Sequence, residues 1–184
     1  RLVEGLLLAI ELAAALTRER SSQEIARQLS QDFDKLTATL RDVPERHSSL
    51  RTVFEMSWRT LSPQLQTGLA RLATFRGGFD AEAARQIARV EKSHLVRLQE
   101  KSLLTYAPDS KRYALHPVVR AYAAARLPHT DPTPRRHAEH YLSLLAAHAQ
   151  PLQGPAPQKS MAVLLPDLDN VRLAWQTALT ARDA

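Results

Sequence analysis

Apolar residues of this 184-residue chain recur mostly at the spacing of amphipathic helices. The first such run, Leu2 to Arg18, carries Glu4 and Glu11 on one helix face, seven positions apart. It is also shorter than the roughly 20 residues that cross a bilayer, so it predicts a half-buried helix. Ser21-Ser22 then predicts the cap of a second helix, and the polar stretch at 42–49 predicts a break.

A second group of helices is predicted after this break. Its first helix carries one apolar stripe, formed by Leu50, Val53, Phe54, Trp58 and Leu61. Ser62 and Pro63 predict the cap and first turn of the next helix, which Gly77-Gly78 ends. A third short helix is predicted over Ala81–Arg89, and Ser93 is predicted to cap a fourth.

Residues 102–116 predict a β-hairpin, because two short apolar runs flank the turn signal Pro108-Asp109. His116 then lies between the second strand and a further helix, whose first position suits Pro117. A run of helices, then a hairpin and a further helix, is the element order of a winged helix-turn-helix domain. The sequence therefore predicts a mainly α fold with one small β-hairpin.

Helical hairpins are predicted to follow. One helix is expected over Arg135–Ala149, a Pro-rich loop over Pro151–Gln158, and a last helix over 168–179. This order is typical of the first hairpins of a TPR-like array. The predicted domains are a helical lid segment, a winged-helix domain and the start of a helical-repeat domain, at 1–46, 47–128 and 129–184.

Several polar and aromatic residues have ordinary structural explanations. Three aromatic residues lie on apolar stripes and are expected in the core: Phe54, Trp58 and Trp175. Three polar residues are explained as caps of the last helix: Asp167, Asp169 and Asn170. His137 and His140 lie on one helix face, but the sequence places no suitable third metal ligand beside them. All four histidines of this region are therefore expected to be solvated: His129, His137, His140 and His148.

Charge and composition narrow the function only partly. The net charge of +6 comes mostly from scattered arginines, which favours an acidic partner but suits solvated helix faces better. Cysteine is absent, which fits a reducing cytoplasm. No G-x-x-x-x-G-K-[ST] phosphate loop occurs, so this segment is expected not to hydrolyse ATP. No membrane segment is predicted.

Four stretches in this order resemble the STAND/NB-ARC signal-transduction ATPases, most closely the bacterial regulator type. Residues 2–16 resemble the lid helix, 49–84 the start of the winged-helix domain, and 135–179 the first helical repeats. Residues 112–127 resemble the Met-His-Asp segment, with His116 as the matching residue. The lid motif Gly-Leu-Pro-Leu corresponds to Gly5, Leu6, Leu7 and Leu8.

This sequence departs from the family pattern at three positions. Leu7 replaces the motif proline, which puts contact with the adenine in doubt, while Leu115 and Pro117 replace the Met and Asp that flank the histidine. Pro is common at the last position in the bacterial branch.

The resemblance implies the regulatory middle of an ATP/ADP switch, cut from a longer protein. In the family, the histidine at the position of His116 bonds the β-phosphate of ADP and holds the winged helix on the nucleotide-binding domain of the same chain. Activation then loosens this contact and permits homo-oligomerisation. ADP or ATP with Mg is expected only in the full-length protein, and no cofactor or metal in this segment.

Two other functions remain open. A DNA-binding winged-helix regulator would use Arg97 and Lys101 on the recognition helix and Lys111 and Arg112 on the wing. The recognition helix presents few basic or amide side chains, which is unfavourable for reading bases. The family resemblance implies that this domain makes intramolecular contacts instead. The third possibility is an inert helical scaffold, suggested by Leu7.

Overall fold

The computed structural model describes residues 10–12, 14–18, 21–25, 27 and 53–182. These residues are mainly helical with one two-stranded antiparallel sheet, which confirms the predicted fold class. The chain forms two compact units, the first from residues 1–66 and 97–103 and the second from Thr67–Val96 and Leu104–Ala184. The predicted domain limits stay a prediction.

The first unit begins with short helical stretches at 10–12, 14–16, 22–25 and 53–59. Ser21 caps the second helix as predicted. Its hydroxyl oxygen accepts from the Glu24 N–H at 3.2 Å, and the Glu24 carboxylate accepts from the Ser21 N–H at 3.1 Å. Leu16, Ile25 and Met56 are buried in one cluster. The predicted break at 42–49 lies outside the described residues.

Helix α1 spans Pro63–Leu72 and starts as predicted, with the Leu65 N–H donating to Ser62 Oγ at 3.4 Å. Helix α2 spans Ala81–Ala83 and opens on the Asp80 carboxylate, which accepts from the Ala83 N–H at 2.7 Å. The chain then continues as a π-helical turn, Ala84–Ala88.

Helix α3 spans Lys92–Glu100. It begins one residue before Ser93, so the prediction that Ser93 is its cap was wrong. The carbonyl of Glu91 accepts from the N–H groups of His94 and Leu95, which places the helix start at Glu91. A helix cap is the residue just before the first helical residue, so Ser93, which lies inside the first turn, does not cap the free N–H groups at the helix start.

The predicted hairpin is confirmed, with β1 at Thr105–Ala107 and β2 at Arg112–Ala114. Tyr106 lies opposite Tyr113 in its register. Tyr113 also exchanges two backbone hydrogen bonds with Phe79, at 2.9 and 2.7 Å, so the turn after α1 runs beside the hairpin.

The remaining elements are helical. They are α4 (Pro117–Ala124), α5 (Thr133–Gln153), α6 (Pro157–Leu164), a 3₁₀ turn (Leu165–Asp167) and α7 (Leu168–Arg182). Helices α6 and α7 both pack on α5. The predicted Pro-rich loop was too long, because α5 continues past Pro151 to Gln153. Proline in the final turn removes only one of the last helical hydrogen bonds.

The aromatic residues expected in the core are buried to different degrees. Phe54 is buried and Trp58 is half-buried, but Trp175 is 53% exposed, so its placement in the core was wrong. The buried stripe of α7 consists of Asn170, Val171 and Ala174, and Trp175 lies about 100° further around the helix than Ala174. Within the described residues, no helix is long and apolar enough to span a membrane.

Candidate functional site

A cluster of buried and half-buried polar groups joins four parts of the second unit: the turn after α1, the hairpin, α5, and the 3₁₀ turn with the start of α7. We call it the polar joint. Its members are the main chain of Arg76 and Gly78 and the side chains of Arg112, His137, Tyr141, Asp167 and Asn170. Its partners lie up to 94 positions apart in sequence.

Asn170 is the centre of the polar joint and is fully buried. Its Oδ1 accepts from the Arg76 N–H at 2.7 Å and lies 3.2 Å from His137 Nε2. Its Nδ2 donates to the Gly78 carbonyl at 2.8 Å and to Asp167 Oδ1 at 2.9 Å. The amide therefore uses its full donor and acceptor capacity, as a buried polar group must to avoid a desolvation penalty.

Arg112, the first residue of β2, forms an ion pair with Asp167 beside this amide. Arg112 Nη2 lies 2.5 Å from Asp167 Oδ1 and also donates to the Gly78 carbonyl at 3.0 Å. Burial opposes the charged guanidinium, but the hydrogen bond and charge of Asp167 outweigh it and raise the pKa of Arg112. Each side chain is 17% exposed, so the pair is poorly screened by water.

The turn that brings the main chain into the joint depends on glycine. Gly77 and Gly78 have φ angles of 72° and 108°, which side chains rarely tolerate. A Cβ on Gly78 would also lie 3.0 Å from the carbonyl oxygen of Tyr113. The prediction that this glycine pair ends α1 was wrong, because α1 already ends at Leu72, five positions before Gly77. The pair instead permits close approach of the turn to the hairpin.

His137 and Tyr141 line the joint from α5 and both are neutral. Burial lowers the pKa of His137 to about 4, although the hydrogen bond to Asn170 opposes this shift. Burial and the negative charge of Asp167 raise the pKa of Tyr141, whose hydroxyl donates to Asp167 Oδ1 at 3.2 Å. Each side chain thus keeps the protonation state that its hydrogen bonds require.

The expectation that His137 is solvated was wrong. The residue is 1% exposed, and its ring packs against those of Phe75 and Tyr141 at 5.4 and 4.7 Å. The helical spacing of His137 and Tyr141 could have indicated a shared buried face. In the described part of the chain, no group of three potential ligands is arranged to hold a metal ion.

His116 caps α4. Its Nδ1 accepts from the Val118 N–H at 3.3 Å, and the residue is half-buried. Because Nδ1 is an acceptor here, the neutral ring carries its proton on Nε2. That N–H lies near the positive end of α4. The lid residues Gly5, Leu6, Leu7 and Leu8 lie outside the described residues.

The four possible DNA contacts differ in availability. Arg97 and Lys111 are exposed, and Lys111 has a φ angle of 55° at the tip of the hairpin. Lys101 donates from Nζ to Thr60 Oγ1 at 3.3 Å. Arg112 is held by Asp167 and Gly78. Arg97 and Lys101 belong to the first unit and the two hairpin residues to the second, so neither unit contains all four.

Sequence reasoning explained Asp167 and Asn170 as helix caps and therefore missed the polar joint. Both residues do lie where α7 begins, but their side chains contact groups that are distant in sequence. Fully buried asparagine is unusual enough to indicate a partner, yet burial itself was not visible in the sequence.

Comparison with known proteins gives one relationship. No family model and no solved structure matches the chain. Three curated proteins do, one from Mycobacterium bovis and two from strains of Mycobacterium tuberculosis, each named "Putative HTH-type transcriptional regulator". Each is 33% identical over an alignment of 187 positions, and the alignment covers 95% of this chain. The alignment covers 21% of each relative, so the chain spans about a fifth of their length.

Proposed function

We propose that this chain is the coupling segment of a transcriptional regulator that works as an ATP/ADP-dependent switch of the STAND type. In this proposal the winged helix makes intramolecular contacts and does not read DNA. The observation that carries it is the ion pair between Arg112 and Asp167. A wing arginine that contacts DNA has to reach a phosphate, whereas this one is directed into the joint.

The polar joint has the properties of a mechanical connection. Its hydrogen bonds link the hairpin to the helices that follow, and the buried amide of Asn170 has no unused hydrogen-bond donor or acceptor. Networks satisfied in this way favour one arrangement over nearby alternatives, because a shift of one linked element by one residue would leave several buried polar groups without hydrogen-bond partners. Such a connection lets a change at the helical repeats reach the winged helix as a rigid movement.

The nucleotide end of the switch is assigned to His116. We propose that its Nε2–H donates to a phosphate of ADP held by the nucleotide-binding domain of the same chain, which stabilises a closed state. The phosphate of ADP supplies the negative charge, and the hydrogen bond from the Val118 N–H fixes the orientation of the His116 imidazole that would donate to it. Loss of this contact would free the winged helix for homo-oligomerisation in the cytoplasm, and the segment itself would not catalyse hydrolysis.

The test uses the full-length protein with Asp167→Asn. Breaking the joint is expected to uncouple the helical repeats from the winged helix, so ADP is released faster and oligomers form without the activating signal. Asp169→Asn is the matched control, because Asp169 is exposed and its ion pair with Arg172 is on the surface. Unchanged ADP release and oligomeric state in Asp167→Asn would contradict the coupling role.

A direct DNA-binding role is the second candidate, and the names of the curated relatives support it. It assigns phosphate contacts to exposed Arg97 and Lys111. Binding of the chain to duplex DNA would then weaken steeply with salt, and neutralising either residue would flatten the slope by about one. DNA affinity that stays weak and insensitive to both substitutions would leave the coupling role as the better account.

A further inference from the structure

A second polar region lies between the π-helical turn and α5 and shares no residue with the polar joint. It is an open pocket of about 560 Å³. Its polar lining includes Gln86, Arg89, Arg136, Glu139, His140 and Ser143. Several of these side chains are hydrogen-bond donors, which suits an anionic ligand.

Arg136 is the best indicator of what the pocket binds. Its Nε is buried and has no hydrogen-bond partner among the described residues, while its Nη2 donates to Thr133 Oγ1 at 2.9 Å. Burial, followed by the positive charges of Arg89 and Arg71, lowers the pKa of Arg136. The nearby carboxylate of Asp131 offsets this lowering only in part, and it pairs with Arg71 at 2.9 Å. The buried Nε–H is not accessible from the open pocket, so the feature that favours an anionic ligand is the positive charge that Arg136 and Arg89 bring together along the pocket lining.

Arg89 supplies a second positive charge on unusual backbone. It is exposed and ends the π-helical turn with φ 58°, a left-handed conformation that non-glycine residues rarely adopt. Both π-helical turns and left-handed residues are frequent at functional sites. The fold therefore accepts local strain where this arginine borders the pocket.

We infer that this pocket binds a phosphate group, with Arg89 and Arg136 as its two charged contacts. Guanidinium groups match the geometry of phosphate oxygens, and Gln86 and Ser143 add neutral donors from either side. The one acidic lining residue, Glu139, is compensated by Arg135 at 2.7 Å. The inference does not depend on the proposed function, because it involves neither His116 nor the polar joint.

The experiment titrates the 184-residue chain with inorganic phosphate and with phenyl phosphate, by calorimetry at constant ionic strength. Arg89→Asn removes a charge but keeps a residue that tolerates left-handed backbone. Arg136→Gln removes the other charge, and circular dichroism checks that its fold is retained. Lys159→Gln is the control, since it changes the net charge equally at an exposed residue outside the pocket.

We expect saturable binding that weakens at least about tenfold in both arginine variants and changes less than about twofold in the control. Binding of phenyl phosphate as tight as that of inorganic phosphate identifies a phosphate monoester as the ligand class, and binding of inorganic phosphate alone identifies the free ion. Absence of saturation below about 10 mM, or equal weakening in Lys159→Gln, overturns the inference. Normal binding in Arg89→Asn also overturns it, since that variant keeps the backbone of the site.

Discussion

Arg112 Nη2 lies 2.5 Å from Asp167 Oδ1, an ion pair that connects the hairpin to the turn before the last helix, 55 positions further along the chain. Asp167 also accepts hydrogen bonds from Tyr141 and Asn170. The pair is therefore one part of a network, and its loss should affect several groups together.

Asp167→Asn is expected to lower the free energy of unfolding by about 2–3 kcal/mol, because it leaves the partly buried guanidinium of Arg112 without its counter-charge. Urea unfolding measures the change. Asp169→Asn, two residues away in an exposed ion pair with Arg172, should change stability by less than about 1 kcal/mol. Equal losses in the two variants would show that the buried pair has no special weight.

Asn170→Ala should be the most damaging single change in the polar joint, at about 3 kcal/mol. It leaves the Arg76 N–H, the Gly78 carbonyl and the His137 ring without their partner, because the methyl group of alanine cannot form the hydrogen bonds of the amide. The control is Gln176→Ala, at an exposed position of the same helix, and should be close to neutral. Equilibrium unfolding of both variants decides the point, and a mild effect at Asn170 would contradict its central place.

The stability of the chain should fall on acidification because of His137. Its pKa is about 4 when folded and about 6.5 in the unfolded chain, so the unfolded state binds the proton more readily. The contribution is fully present above pH 6.5 and is lost progressively as pH falls toward 4, by about 3 kcal/mol in total. Measuring the free energy of unfolding from pH 7 to pH 4 tests this.

Variants separate His137 from the other histidines in that experiment. His137→Gln should abolish most of the slope between pH 6.5 and 4, whereas His129→Gln, at an exposed position, should leave it. NMR titration of the imidazole C–H resonances gives an independent measure. A His137 that titrates near 6.5 in the folded chain would contradict its burial.

His116 should contribute about 1 kcal/mol to stability as the cap of α4. His116→Ala removes the acceptor of the Val118 N–H, whereas His116→Asn supplies another acceptor and should restore most of the loss. Thermal unfolding of the chain measures both. In the full-length protein, the proposed phosphate contact predicts that both variants release ADP faster. If His116→Asn instead released ADP as slowly as the unchanged protein, capping α4 would be the role of His116 and the phosphate contact would be contradicted.

Much of the local structure followed from the sequence. The hairpin, the first turn at Pro63, the cap at Ser21 and the first helical position at Pro117 depend on neighbouring residues, and the structure confirms them. Errors occurred where local signals were weak or balanced, as at Ser93, one residue inside its helix, and at Pro151, which α5 absorbs.

The sequence by itself determined most of the helices and both strands of the described chain, because hydrophobic period, capping and turn chemistry act over a few residues. It did not determine the polar joint or the burial of His137. Those depend on contacts between segments such as Gly78 and Asn170, which lie 92 positions apart. Only tertiary packing decides whether a polar side chain meets water or a buried carbonyl, and that choice gives Arg112 and Asn170 their roles.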